Sequence, residues 1–152
     1  MAAIEGGPIL LVRSNEVPQV TLDELRRLGP SRIVILGSTA VVSSAVANVA
    51  RTVTPSVSRL AGSDRYATSV EISKSYFSNP GAVFIATGTA FPDGLSAVAL
   101  AGSTGGPLLL VKGSEVPPVI MDELRRLDPR RLVIIGGPGA ISDAAVRTLL
   151  GF

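Results

Sequence analysis

The chain has no cysteine, no histidine and no tryptophan among its 152 residues. Without cysteine there are no disulfides, no thiolate metal ligands and no cysteine nucleophiles, and the compartment stays open. Without histidine the side chain that titrates near neutrality is missing, and with it most catalytic triads and most zinc sites. Two tyrosines and four phenylalanines leave the core to aliphatic side chains. No apolar run approaches the roughly 18 residues of a membrane span. The opening MAAIEGGPILLV has no basic n-region, and its apolar run reads as a short buried strand. It is therefore not read as a signal peptide, and a secreted parent would carry its signal upstream. The formal charge of +2 is a mild bias toward anionic partners. It falls short of the clustered Lys/Arg and aromatic platforms of a nucleic-acid surface, so no nucleic-acid partner is expected.

What is present is globular: 46% hydrophobic and 17% charged, long enough to bury a substantial core. The dominant feature is internal repetition. Residues 6–43 align without a gap to residues 105–142, an offset of 99, and 22 of 38 positions are identical. Agreement over that length marks a duplication. The segment 57–104 has no counterpart, so two units are expected: a half repeat at 1–56 and a complete one at 57–152. Half a repeat followed by a whole one suggests a piece of a longer array.

Apolar runs at Pro8–Val12, Arg32–Leu36, Val83–Ala86, Leu108–Val111 and Leu132–Ile135 are short, continuous and bounded by Gly or Pro. Continuous hydrophobicity predicts strands buried on both faces, as in a parallel sheet; a weaker strand is predicted at Val57–Leu60. Between them, Val116, Ile120, Leu124 and Leu127 form a helical stripe. Pro18 and Pro117 suit first helical turns, and Ser43 and Ser142 suit N-caps. Asp23–Arg27 and Asp122–Arg126 have favourable i,i+4 spacing. The alternation predicts an α/β protein, a parallel open sheet with helices on both faces, built from one and a half repeats. The half repeat would either join the central segment in one continuous sheet or pair with another chain, and self-association is the expectation.

Two polar turns concentrate the chemistry: RLAGSDRYATSVEI at 59–72 and ATGTAFPDGLSAVAL at 86–100. Each reads as a strand end, a turn and a helix start, where open α/β sheets usually bind ligands. Arg59, Asp64, Arg65, Tyr66 and Thr68 crowd the first turn; Phe91, Pro92, Asp93 and Ser96 crowd the second. A structural reading also stands, with Asp64 or Ser63 as a cap and Asp93 in a first turn that favours negative charge. Arg13 and Lys112 follow the PILLV and PLLLV runs and, with Arg65, are expected at one C-terminal sheet edge beside helix N-termini that attract anions. The pairs Arg26–Arg27, Arg125–Arg126 and Arg130–Arg131 complement helix C-termini. Neither 102–107 nor 136–142 fits a nucleotide-binding glycine loop, and turns explain their glycines better. Asp64 and Asp93 have no third acid in a comparable turn, so neither a metal nor a catalytic set is expected.

The strings RLAGSDRYATS, FPDGLSA, GGPLLLV and VIIGGPGAIS, in that order and spacing, resemble the type 2 cell-wall-binding repeat of Gram-positive surface proteins. The Pro8–Leu11 and Pro107–Leu110 strings match that repeat's P-I-L-L hallmark, the second with Leu for Ile; Gly94 replaces its usual Ala. The resemblance implies a Rossmann-like or Toprim-like sheet and a non-catalytic module, without cofactor, that holds a secreted protein at the cell wall. Its ligand would be an anionic, teichoic-acid-like glycopolymer, and its binding residues Arg13, Arg59, Asp64, Arg65, Tyr66, Thr68, Asp93 and Lys112. A nucleotide- or magnesium-dependent enzyme domain on the same sheet, and a purely structural spacer, are the alternatives.

Overall fold

The computed structural model describes residues 5–89 and 101–151. In chain order its elements are α1 (Gln19–Leu28), β1 (Ile33–Leu36), α2 (Ser44–Arg51), β2 (Val57–Leu60), α3 (Arg65–Tyr76), β3 (Val83–Thr87), β4 (Leu108–Val111), α4 (Pro118–Leu127), β5 (Leu132–Ile135) and α5 (Asp143–Leu150). Among the described residues every strand pairing is parallel. That follows from strand–helix alternation, because a parallel neighbour is reached only through a crossover. The fold is the expected α/β architecture with open parallel sheets. Among the described residues the strands form two of them, β1–β2 and β4–β3–β5.

β3 is the centre of the larger sheet and is buried at every residue. Its register sets Phe84 beside Leu108 on one edge and beside Val133 on the other. Val83 and Ile85 enter one apolar cluster with Ile120, Leu124, Leu127 and Leu149. Phe84 enters another with Ala82 and Ala101, on which Leu108, Val133 and Ile135 pack. The predicted stripe on α4 thus faces the sheet, with Ile120, Leu124 and Leu127 fully buried and Val116 packed at its margin.

Sheet pairing also accounts for the failed strand. Residues 8–12 were expected to be a strand, and their counterpart is β4, yet here the backbone is irregular. Ile9 is 62% and Leu11 81% exposed. A strand needs a partner for its N–H and C=O groups, and among the described residues no strand pairs with segment 8–12.

Three local expectations shift as well. Pro18 and Pro117 sit at the N-caps of α1 and α4, outside the first turn, and Pro118 takes the first helical position. A residue before proline is driven out of the helical region, which forces Pro117 to remain extended. The ion pairs run i,i+3 rather than from Asp23 to Arg27 or Asp122 to Arg126: Glu24–Arg27, Glu123–Arg126 and Asp122–Arg125. The longer Glu side chains grip Arg27 and Arg126 through two nitrogens each. Ser43 and Ser142 are both N-caps, but only Ser142 Oγ accepts a backbone N–H, from Ala145 at 3.3 Å.

Candidate functional site

The C-terminal end of the larger sheet is assembled by the turn 61–64 and the N-terminus of α3. Gly62 lets that turn close on the helix, since a Cβ there would lie 2.4 Å from the Ala67 Cβ. Asp64 is the N-cap of α3 and accepts from the Ala67 N–H at 2.8 Å. Thr68 Oγ1 donates to the Asp64 carbonyl at 2.7 Å and accepts from the Gly62 N–H at 3.0 Å. These contacts lock the turn, so Asp64 and Thr68 act first as scaffold.

Arg65 reaches from α3 to the end of β3, where its Nη1 donates to the Gly88 carbonyl at 2.5 Å. Tyr66 packs its ring against the main apolar cluster and against Gly88. The Gly88 N–H in turn donates to the Val111 carbonyl at 2.8 Å, which sets Lys112 beside this turn. Lys112 forms an ion pair with Glu115. Its pKa is raised above the usual lysine value by that hydrogen bond and by the Glu115 charge, with smaller contributions from Tyr66 and Asp64. Thr87 and Thr89 add a hydroxyl pair 2.7 Å apart at the same strand end. The edge therefore carries two cations, a phenol, hydroxyls and one helix N-terminus.

Asp64, Arg65, Tyr66, Thr68 and Lys112 come together. Arg59 belongs to the smaller sheet, where its Nη1 donates to the Gly37 carbonyl at 2.6 Å and ties β2 to the end of β1. Arg13 stands after the irregular segment 8–12, hence not at a strand end, and is paired with Glu16 at 3.1 Å. The common edge predicted for Arg13, Arg65 and Lys112 thus reduces to the last two. Asp93, with Phe91, Pro92, Gly94 and Ser96, lies outside the described residues.

Two contributors were missed. Arg13 and Lys112 each have a glutamate three residues on, Glu16 and Glu115, and that repeated spacing was readable as a partial neutralisation. The hydroxyl pair Thr87–Thr89 had no distinguishing pattern. Among the described residues no group of three or more Asp, Glu, His or Cys is placed to hold a metal ion. No described helix is long and apolar enough to cross a membrane.

The chain is similar to several known proteins. The chain is 26% identical over 149 residues to the N-acetylmuramoyl-L-alanine amidase LytC of Bacillus subtilis, covering 98% of this chain and 30% of that protein. It is 33% identical over 116 residues to the amidase enhancer of Bacillus subtilis, covering 76% of this chain and 15% of that one. Cwp6 from Clostridium difficile superposes with a TM-score of 0.89 at 28% identity, over 99% of this chain and 24% of that one. The chain spans less than a third of each. Residues 59–146, which run from β2 to α5 and include the whole edge, match cell wall binding domain 2 (CWB2). That span is more than half of the chain, and the protein belongs to the cell wall binding domain 2 family.

Proposed function

We propose that the protein is a non-catalytic module that attaches a secreted parent to the outer face of the cell by binding an anionic, teichoic-acid-like cell-wall glycopolymer. The observation that carries this reading is that the family match encloses the edge built by Asp64, Arg65, Tyr66, Thr68 and Lys112. Cell-wall binding is the family's own description; the anionic ligand is inferred from the two exposed cations Arg65 and Lys112 at the N-terminal end of α3. Asp93 completes the candidate set by sequence. Contacts with further repeats, in the same polypeptide or another copy, extend the module.

Sedimentation with purified Gram-positive walls, before and after removal of their anionic polymers, tests the reading. The chain is expected to pellet with intact walls, to release as salt rises because exposed charges act through a screened field, and to stay in solution with stripped walls. The Lys112→Ala, Arg65→Ala double variant should bind more weakly and with less salt dependence. Equal pelleting with intact and stripped walls would remove the anionic polymer as ligand. A magnesium-dependent enzyme on this sheet is not favoured by any arrangement of acids among the described residues.

A further inference from the structure

The two copies of the duplicated sequence share their helices and their last strand but are buried differently, and the difference outlines an open groove. Leu124 and Leu127 are fully buried in α4, whereas Leu28, the counterpart of Leu127, is 37% exposed, and α1 buries no residue. Pro107 and Gly106 are buried, while Pro8 and Gly7 are exposed. Between segment 7–12 and β1 lies an apolar groove of about 640 Å³.

The walls of the groove correspond to the residues that hold β3 in the other unit. One cluster joins Val83 and Ile85 to Ile120, Leu124, Leu127, Ala145 and Leu149. At the offset of 99 their counterparts are Thr21, Leu25, Leu28, Val46 and Ala50, and all five line the groove. Leu108, Val133 and Ile135 pack around Phe84; their counterparts Ile9, Val34 and Leu36 line it too.

Two further observations agree. A Cβ on Gly106 would strike the Ala82 carbonyl at 2.5 Å and the Phe84 ring at 2.9 Å, whereas one on Gly7 meets nothing within 4 Å among the described residues. The glycine that admits β3 in one unit is thus repeated in the other without a strand to admit. Second, among the described residues β1 is hydrogen-bonded along one edge, to β2. The Ile33 and Gly37 N–H groups point to β2. Alternation along a strand then directs those of Val34 and Leu36 to the groove.

We infer that this groove is a strand-acceptor site that takes an apolar five-residue β-strand of β3's pattern, with an aromatic second residue, running parallel to β1 and supplied by a neighbouring repeat. By the register of β3 on β5, the first residue of the guest lies beside Ile33 and its aromatic beside Val34. The guest ring covers Gly7 and Ile9, as Phe84 covers Gly106 and Leu108. Main-chain hydrogen bonds to β1 supply affinity, and the alternating apolar walls supply selectivity. The site takes a peptide strand and is separate from the polymer edge.

The test is hydrogen exchange on the full chain with a synthetic peptide of residues 80–89 carrying added C-terminal lysines for solubility. Saturating peptide should slow exchange at Val34 and Leu36, and across 8–12, by about tenfold or more, as ordering of an open edge requires. A peptide with F84D, and the chain variant L25D, should each abolish the effect. Leu25 is half-buried in the groove beside β1 and belongs to neither apolar cluster of the larger sheet, so L25D leaves the β4–β3–β5 sheet and its melting unchanged. No slowing at Val34 and Leu36, slowing confined to β4 and β5, or equal slowing by the F84D peptide would overturn the assignment.

Discussion

Gly7 and Gly106 hold the same place in a repeated Gly-Gly-Pro and face opposite surroundings, so one methyl group separates the two halves of the chain. In Gly106→Ala the new carbon would sit 2.5 Å from the Ala82 carbonyl oxygen and 2.9 Å from Phe84 Cε2. The first of these atoms is backbone and cannot swing aside. Either β3 or the Gly-Pro segment must move by most of an ångström, and overpacking of this kind costs about 1–3 kcal/mol. In Gly7→Ala the carbon meets nothing within 4 Å. Removing a glycine there restricts the unfolded chain and stabilises by about 0.4–1 kcal/mol where the backbone is compatible. Urea unfolding followed by circular dichroism should separate the two variants by about 1.5–4 kcal/mol, with opposite signs relative to the parent. Equal destabilisation by both would mean that the segment before residue 8 is as tightly enclosed as its copy, and would refute the contrast.

The duplicated ion pairs should diverge in the same way. Glu123→Ala removes a carboxylate with no exposed side-chain surface from Arg126, which also holds the Phe77 carbonyl, and should cost about 2–4 kcal/mol. Glu24→Ala breaks a pair exposed on both sides and should leave thermal unfolding almost unchanged; losses similar to those of Glu123→Ala would contradict burial as the cause. The exposed apolar side chains Ile9, Leu11, Val20 and Val41 should make the chain self-associate, so its light-scattering mass should climb above 15.6 kDa with concentration. A mass that stays monomeric throughout would refute that.

The fold was legible where a local pattern and its partner were both within the chain. The continuous runs of β3, β4 and β5 announced a buried parallel sheet, and the stripe Ile120, Leu124, Leu127 gave the helix face that covers it. Segment 8–12 has almost the same composition as β4 and reads identically, yet strand formation depends on a neighbour that a composition cannot report. The candidate edge was legible as a location in part, since Arg13 was placed on it too. Asp64, Arg65, Tyr66 and Lys112 were placed at one sheet end by strand–turn–helix order alone. Their roles were not, because Arg65 and Arg59 donate to carbonyls 23 and 22 residues away in sequence, and no spacing rule reaches that far. The choice of i,i+3 over i,i+4 partners was hidden too, since Asp23 and Glu24 are adjacent and side-chain length decided between them.

On the proposed reading, the affinity of one edge must be modest. Arg65 is held by the Gly88 carbonyl and Lys112 by Glu115, so neither charge is wholly free for a ligand. Both are solvent-exposed, where physiological salt screens attraction beyond about 8 Å. A long polyanion, however, offers the same group at many points along its length. Joining binding edges then turns each later contact into an intramolecular one, and avidity can rise by about 10²–10⁴ without a new contact. A tandem of two full chains on a flexible linker should therefore outbind the single chain on walls by far more than the factor of two expected for independent sites. The gain should vanish on short polymer fragments that cannot reach both edges. A tandem that binds walls only twice as well would show that each chain carries its affinity in a single closed site, and the edge around Arg65 and Lys112 would then be too weak to be it.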